Sequence, residues 1–242
     1  MSRRTTAIAA ALSVLALGSP LITGCTNPLA TQYINQGVEK YEVGNYQGAI
    51  TDYDKAIEIN SQHANAYYNR GLAKYNLKDY QGAIADYTKA IEINPQFALA
   101  YCNRGTAKDD LEDYQEAIAD YGKAIEINPR YADAYGNRGS AKNDLGDYQG
   151  AIVDYNKEIE IKPKDANAYY NRGVVKYNLK DYQGAIADYT KAIEINSQYA
   201  SAYVNRGVVR ERASDLEGAC DDWRKAGDLG DERSAEWAKK YC

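Results

Sequence analysis

Histidine, phenylalanine and methionine each occur once and tryptophan twice in 242 residues that carry 24 tyrosines. With His63 alone, and no His/Cys/carboxylate cluster at metal-ligand spacing, neither a histidine-based site nor a metal centre is expected. His63 itself reads as a solvated loop residue. No phosphate-binding glycine loop and no dinucleotide fingerprint are present, because the glycines recur at fixed intervals. A basic stripe is also missing. The net charge is −5, and setting aside residues 1–24, which contain Arg3, Arg4 and no acid, makes it −7. Phosphate neutralisation needs clustered Lys and Arg, so nucleic acid is not an expected partner. The acids themselves recur at equivalent positions, as in Asp86, Asp120, Asp154 and Asp188. A catalytic pair needs a distinctive environment, so neither an enzyme nor a cofactor is expected.

Long apolar runs are confined to Ala7–Gly18, which follows Arg3 and Arg4. That run is shorter than the ~20 residues that span a bilayer, and it reads as an export signal. It leads into Leu21-Ile22-Thr23-Gly24-Cys25. The segment resembles the bacterial lipobox, with an aliphatic residue three before the cysteine and a small residue just before it. The resemblance implies a signal peptide over 1–24, lipid attached to the Cys25 thiol, a tether over 25–29, and a location on a bacterial membrane facing the periplasm, with the outer membrane as one option.

What is abundant is periodic. Asn-Arg-Gly occurs at 69–71, 103–105, 137–139, 171–173 and 205–207, always 34 apart, with a degenerate Asn35-Gln36-Gly37 one period upstream. A Tyr-Gln-(Gly/Glu)-Ala-Ile segment starts at Tyr46, Tyr80, Tyr114, Tyr148 and Tyr182, and the last copy departs to Leu216-Glu217-Gly218-Ala219-Cys220. Within one copy, Tyr67, Gly71, Lys74 and Tyr75 follow helical spacing, as do Ala83, Ile84, Tyr87, Ala90 and Ile91. Pro95 stops the second helix. Each copy is therefore a helical hairpin that cannot bury its apolar stripe alone, and stacking buries it.

The period and the motif resemble the tetratricopeptide repeat. The resemblance implies an all-α, right-handed α-solenoid of six hairpins over 30–233 (30–63, 64–97, 98–131, 132–165, 166–199 and 200–233). Residues 234–242 follow as a capping helix, with Trp237 and Tyr241 four apart on one face. In this family the first helix of each repeat lines a concave groove through its second, fifth, sixth, ninth, twelfth and thirteenth positions. The sixth is Asn in every copy: Asn35, Asn69, Asn103, Asn137, Asn171 and Asn205. These amides either serve a partner's backbone or bond neighbouring helices. No Lys stands at the second or fifth positions, which argues against a clamp for a partner's C-terminal carboxylate. Tyr68, Tyr75, Tyr170 and Tyr177 are expected as aromatic walls around a waist containing Cys102, Gly136, Ser140, Asp109, Asp110 and Asp144. Gly136 and Ser140 would leave room for a partner side chain, and the acids would favour a basic one.

The function implied is a membrane-tethered scaffold binding a protein segment in that groove. A structural homo-oligomer or a binder of a small cell-wall ligand are the alternatives. Two internal pairings are expected as well. The seventh position is Arg70, Arg104, Arg138, Arg172 and Arg206, and each could pair with the Asp at the twenty-third position of its own or of the preceding repeat. The preceding repeat is favoured, because the first repeat has no predecessor and carries Gln36. Cys220 and Cys242 are expected to form a disulfide across a final hairpin turning near 229–231, leaving Cys102 free.

Overall fold

The computed structural model describes residues 27–242, so Cys25 and the signal segment before it lie outside the described residues. Among the described residues there are thirteen α-helices and no strand. They group into two compact units, one ending at Pro95 and one running from Gln96 to Cys242. The first unit holds α1 (Pro28–Glu42), α2 (Tyr46–Ile59), α3 (Ala64–Asn76) and α4 (Tyr80–Ile93). The second holds α5 (Ala98–Asp109), α6 (Tyr114–Ile127), α7 (Ala132–Asp144), α8 (Tyr148–Ile161), α9 (Ala166–Asn178) and α10 (Tyr182–Ile195). It continues with α11 (Ala200–Arg212), α12 (Leu216–Asp228) and α13 (Glu232–Tyr241). Within each unit, successive helices pack as antiparallel hairpins and each hairpin packs on the next.

The turn inside each hairpin is set by one residue in the left-handed region. Gly44 and Gly146 take it freely at φ 77° and 81°, while Lys78, Glu112, Lys180 and Ser214 take it at φ 63–67°. The second helix then starts on a capping carboxylate. Asp79, Asp147, Asp181 and Asp215 each accept from the backbone N–H three residues on, at 2.9–3.0 Å. The third residue in these copies is glycine, and a Cβ on Gly82 would sit 2.1 Å from an Asp79 carboxylate oxygen. In the third hairpin Glu116 replaces that glycine, and Asp113 makes no capping bond.

The core repeats one contact. A tyrosine of the second helix lies flat on a glycine of the first: Tyr53 on Gly37, Tyr87 on Gly71, Tyr121 on Gly105, Tyr155 on Gly139 and Tyr189 on Gly173. These rings are 1–2% exposed. A Cβ on Gly71 would stand 2.7 Å from the Tyr87 ring, which explains why this position stays glycine. Trp223 replaces the tyrosine in the last hairpin, and α13 covers it, with Trp237 5.4 Å and Tyr241 6.4 Å from its ring.

The charged framework corrects the pairing favoured from sequence. Each arginine binds the aspartate of its own repeat, not that of the preceding one. Arg70 donates from Nε and Nη2 to Asp86, Arg104 to Asp120, Arg138 to Asp154, Arg172 to Asp188 and Arg206 to Asp222, at 2.5–3.0 Å. Within the two units, the pairs Arg70–Asp52, Arg138–Asp120, Arg172–Asp154 and Arg206–Asp188 are not formed; Arg104–Asp86 would join residues of different units, and Arg104 binds Asp120 of its own repeat. The reason is geometric: the seventh and twenty-third positions face each other across the antiparallel hairpin. A second base of the same hairpin, one helical turn after the arginine, also reaches the carboxylate: Lys74, Lys108, Lys142, Lys176 or Arg210, at 2.8–3.0 Å. In the first repeat Lys40 and Lys55 hold Asp52, so Gln36 leaves no unpaired acid. The preceding repeat contributes something else. Arg70 Nη1 donates to Asp54, Arg172 Nη1 to Asn156 and Arg206 Nη1 to Thr190, tying adjacent hairpins at 2.6–2.9 Å.

Cys220 and Cys242 are joined by a disulfide with Cα atoms 5.7 Å apart. It closes a loop of 22 residues, worth about 3 kcal/mol of unfolded-state entropy. Apart from this bridge, α13 buries only Ser234 fully and rests on its aromatic contacts. Reduction, or Cys242→Ser, is expected to raise amide exchange across α13 by at least tenfold and to leave α5–α10 protected. Uniform loss of protection through the whole unit would contradict this.

Candidate partner-binding face

The family's inner-face positions lie on the first helix of each hairpin. In the first unit these positions are largely closed. Tyr68 is 5% exposed against Tyr87, and Tyr75 is 9% exposed with its ring 5.4 Å from Tyr80. They were expected as open aromatic walls; instead they fill the layer between the two helices of their own hairpin. Asn69 beside them is half-buried. Asn76 donates to the Tyr41 hydroxyl and the Leu72 carbonyl, both at 2.9 Å. His63, expected in solvent, is half-buried ahead of α3, and burial lowers its pKa.

In the second unit the waist is less open than expected. Asp109 is buried, Asp110 is half-buried and Asp144 is exposed, so the acids do not form one solvated charge. Cys102 is free and buried, and burial pushes its thiol up to about 12, which makes it unreactive. Two of the sixth-position amides donate between hairpins: Asn137 to the Thr106 hydroxyl at 3.5 Å, and Asn205 to the Tyr170 hydroxyl at 3.0 Å. Asn103 and Asn171 are half-buried. Tyr170 is wedged between Tyr189 and Tyr199. Tyr177 stays half-exposed beneath the Arg212 guanidinium, 5.3 Å from the ring centre.

Tyr177 lines a cleft of about 200 Å³ together with Val174, Asn178, Tyr189, Asn205, Val208 and Val209. It has apolar walls and two amides, the composition that suits an apolar side chain and its adjacent peptide group. Val174 and Val208 are ninth-position residues of neighbouring hairpins, one of the positions that the family resemblance assigns to the inner face.

A residue that sequence reasoning passed over stands in the fourth repeat. Glu158 occupies a position that is Ala56, Ala90, Ala124, Ala192 and Ala226 in the other copies. Its carboxylate fills the space over Gly136, where a Cβ would lie 2.5 Å from Oε1. The room expected there for a partner is thus taken by this side chain. Glu158 is 7% exposed, and its Oε2 is enclosed without a hydrogen-bond partner. Burial, and then Asp165 and Asp133, push its pKa up to about 8 against the opposing pull of Lys162. The lone break in an alanine column was the available signal.

Among the described residues no group of three or more His, Cys, Asp or Glu could hold a metal ion, and no helix is long and apolar enough to cross a membrane. Tetratricopeptide repeat profiles match residues 64–97, 98–131 and 166–199, and related TPR profiles match 37–78 and 139–180. No curated protein matches the sequence significantly. Among solved structures, YrrB, described as a TPR protein with an unusual peptide-binding site, is 26% identical, with a TM-score of 0.65 over 78% of this chain and 97% of its own. MamA protein is 28% identical, with a TM-score of 0.65 over 72% of this chain and 94% of its own. PilF of Pseudomonas aeruginosa is 18% identical, with a TM-score of 0.75 over 89% and 99%, a likeness of fold alone. With repeat profiles matching across 37–131 and 139–199 and the hairpins in register, the chain belongs to the tetratricopeptide repeat family.

Proposed function

We propose that this protein is a non-catalytic interaction scaffold, tethered to a membrane through Cys25, that holds an extended partner segment on the inner face of its hairpins. The observation that carries the reading is the apolar cleft between α9, α10 and α11, also lined by the Asn178 and Asn205 amides. Such a cleft accepts one side chain of an extended segment, while the amide oxygens of Asn178 and Asn205, whose NH2 groups already donate to Asn143 and Tyr170, accept from its backbone. That YrrB, similar in fold, is described as having a peptide-binding site supports a peptide segment as the kind of partner. The test starts from an affinity capture out of membranes to obtain the partner. Val208→Arg, which fills the cleft, is then expected to weaken binding at least tenfold, whereas Lys89→Glu on an exposed surface of α4 leaves it unchanged. Equal affinities for the two variants would remove the cleft from the binding face.

The tether is supported by the lipobox-like segment and by the Cys220–Cys242 disulfide, which belongs to an oxidising compartment. Cys25→Ala is expected to move the protein from the membrane to the soluble fraction. Retention on membranes after a high-salt wash would overturn the anchor.

A further inference from the structure

Glu158 is costly where it stands, and nothing in its own hairpin uses it. Five of the six repeats place a fully buried alanine at this position, and each closes the fifth inner-face position with a side chain: Ile34, Tyr68, Cys102, Tyr170 or Val204. Only the fourth repeat changes both at once, to glutamate and glycine. Gly136 remains partly exposed, and the carboxylate lies directly against it. Its surroundings are acid-rich. Asp133 reaches it from α7 and Asp165 from the cap of α9; Lys162, at the end of α8, is the facing base, and its ammonium is already engaged 2.5 Å from Asp133. Tyr155 on α8 is the other titratable neighbour and stays protonated through burial.

We propose that Glu158, with Asp133 beside it, forms a subsite that takes a basic side chain of the partner segment against the carboxylate seated at Gly136. The proposal rests on the inner-face reading of the preceding section and adds the chemistry of the bound residue. An incoming ammonium or guanidinium supplies the hydrogen-bond donor that the enclosed Oε2 lacks, and it offsets an excess of three acids over one base. The proton held by Glu158 at neutral pH passes to solvent as the cation enters. A buried carboxylate in a binding face discriminates strongly, because an acidic or neutral residue leaves it unsatisfied.

Two measurements test this separately from the groove itself. In the first, the Glu158 carboxyl carbon is titrated by NMR from pH 5 to 10 with n-butylammonium or methylguanidinium at tens of millimolar. Butan-1-ol and sodium chloride at matched ionic strength are the controls. The cations are expected to lower the midpoint by about half a pH unit or more, and the controls to leave it in place, because binding to the ionised form pulls the equilibrium that way. In the second, a randomised peptide library displayed on phage is panned against the wild type and Glu158→Gln. The wild type should enrich peptides with one fixed basic residue; Glu158→Gln should enrich peptides without that preference. If both proteins enrich the same non-basic peptides, or the midpoint ignores the cations, the subsite is overturned and the groove stands. If neither protein enriches any peptide, the groove reading falls, and this proposal with it.

Discussion

Asp154→Ala is expected to destabilise the second unit by about 3–5 kcal/mol and to lower its melting temperature by roughly 10 °C. Asp154 is 1% exposed and accepts from Arg138 Nε at 2.9 Å and Nη2 at 2.6 Å, with the Lys142 ammonium at 2.8 Å. Truncation leaves two cations, whose side chains are only 22% and 20% exposed, facing an apolar methyl with no counter-charge. That residual desolvation, more than the attraction lost, sets the size of the effect. Glu160 on the same helix is the natural control. It pairs with Lys157 through a side chain 68% exposed, and Glu160→Ala should change stability by no more than about 0.5 kcal/mol. Thermal melts of the two variants that agree within error would show that the arginine–aspartate–lysine tie contributes nothing particular. Because stacked repeats unfold by sections, the melt should be read alongside amide exchange in α7 and α8.

Glu158→Gln is expected to stabilise the protein, and only above mildly acidic pH. The pKa of Glu158 is raised from 4.5 to about 8, so the folded state holds a proton that the unfolded chain releases. Its contribution is intact below pH about 4.5 and is lost progressively as pH rises towards 8. Near pH 7 the cost of keeping this group buried is on the order of 3 kcal/mol. Glutamine keeps the shape over Gly136 and cannot ionise. Its melting temperature should exceed that of the wild type by roughly 5 °C or more at pH 8 and match it at pH 4.5. A difference that is the same at both pH values would mean that Glu158 is not titrating in the folded protein. A wild-type protein that retains this cost at neutral pH is what a residue kept for binding, at the expense of stability, would show.

Much of the architecture follows from the sequence alone. The 34-residue spacing of Asn-Arg-Gly, the helical spacing of Tyr67, Gly71 and Tyr75, and the stop at Pro95 define hairpins, and a hairpin's apolar stripe has to be buried on another hairpin. Those are local properties: period, turn chemistry and small residues where backbones meet. What only the tertiary structure decided is which side chain faces which. Arg138 meets Asp154 and not Asp120 because the register across an antiparallel hairpin, invisible in spacing, brings the seventh and twenty-third positions together. Tyr68 and Tyr75 belong to the core because their rings meet Tyr87 and Tyr80, a contact made by the hairpin's own second helix. Gly136 and Glu158, read singly, are two departures from a repeat. Folded, they are one feature, since the glycine is the space that the carboxylate occupies. Position in a helical repeat assigns a residue to a face, but the burial and charge of that residue depend on the opposing helix, whose contribution no single position carries.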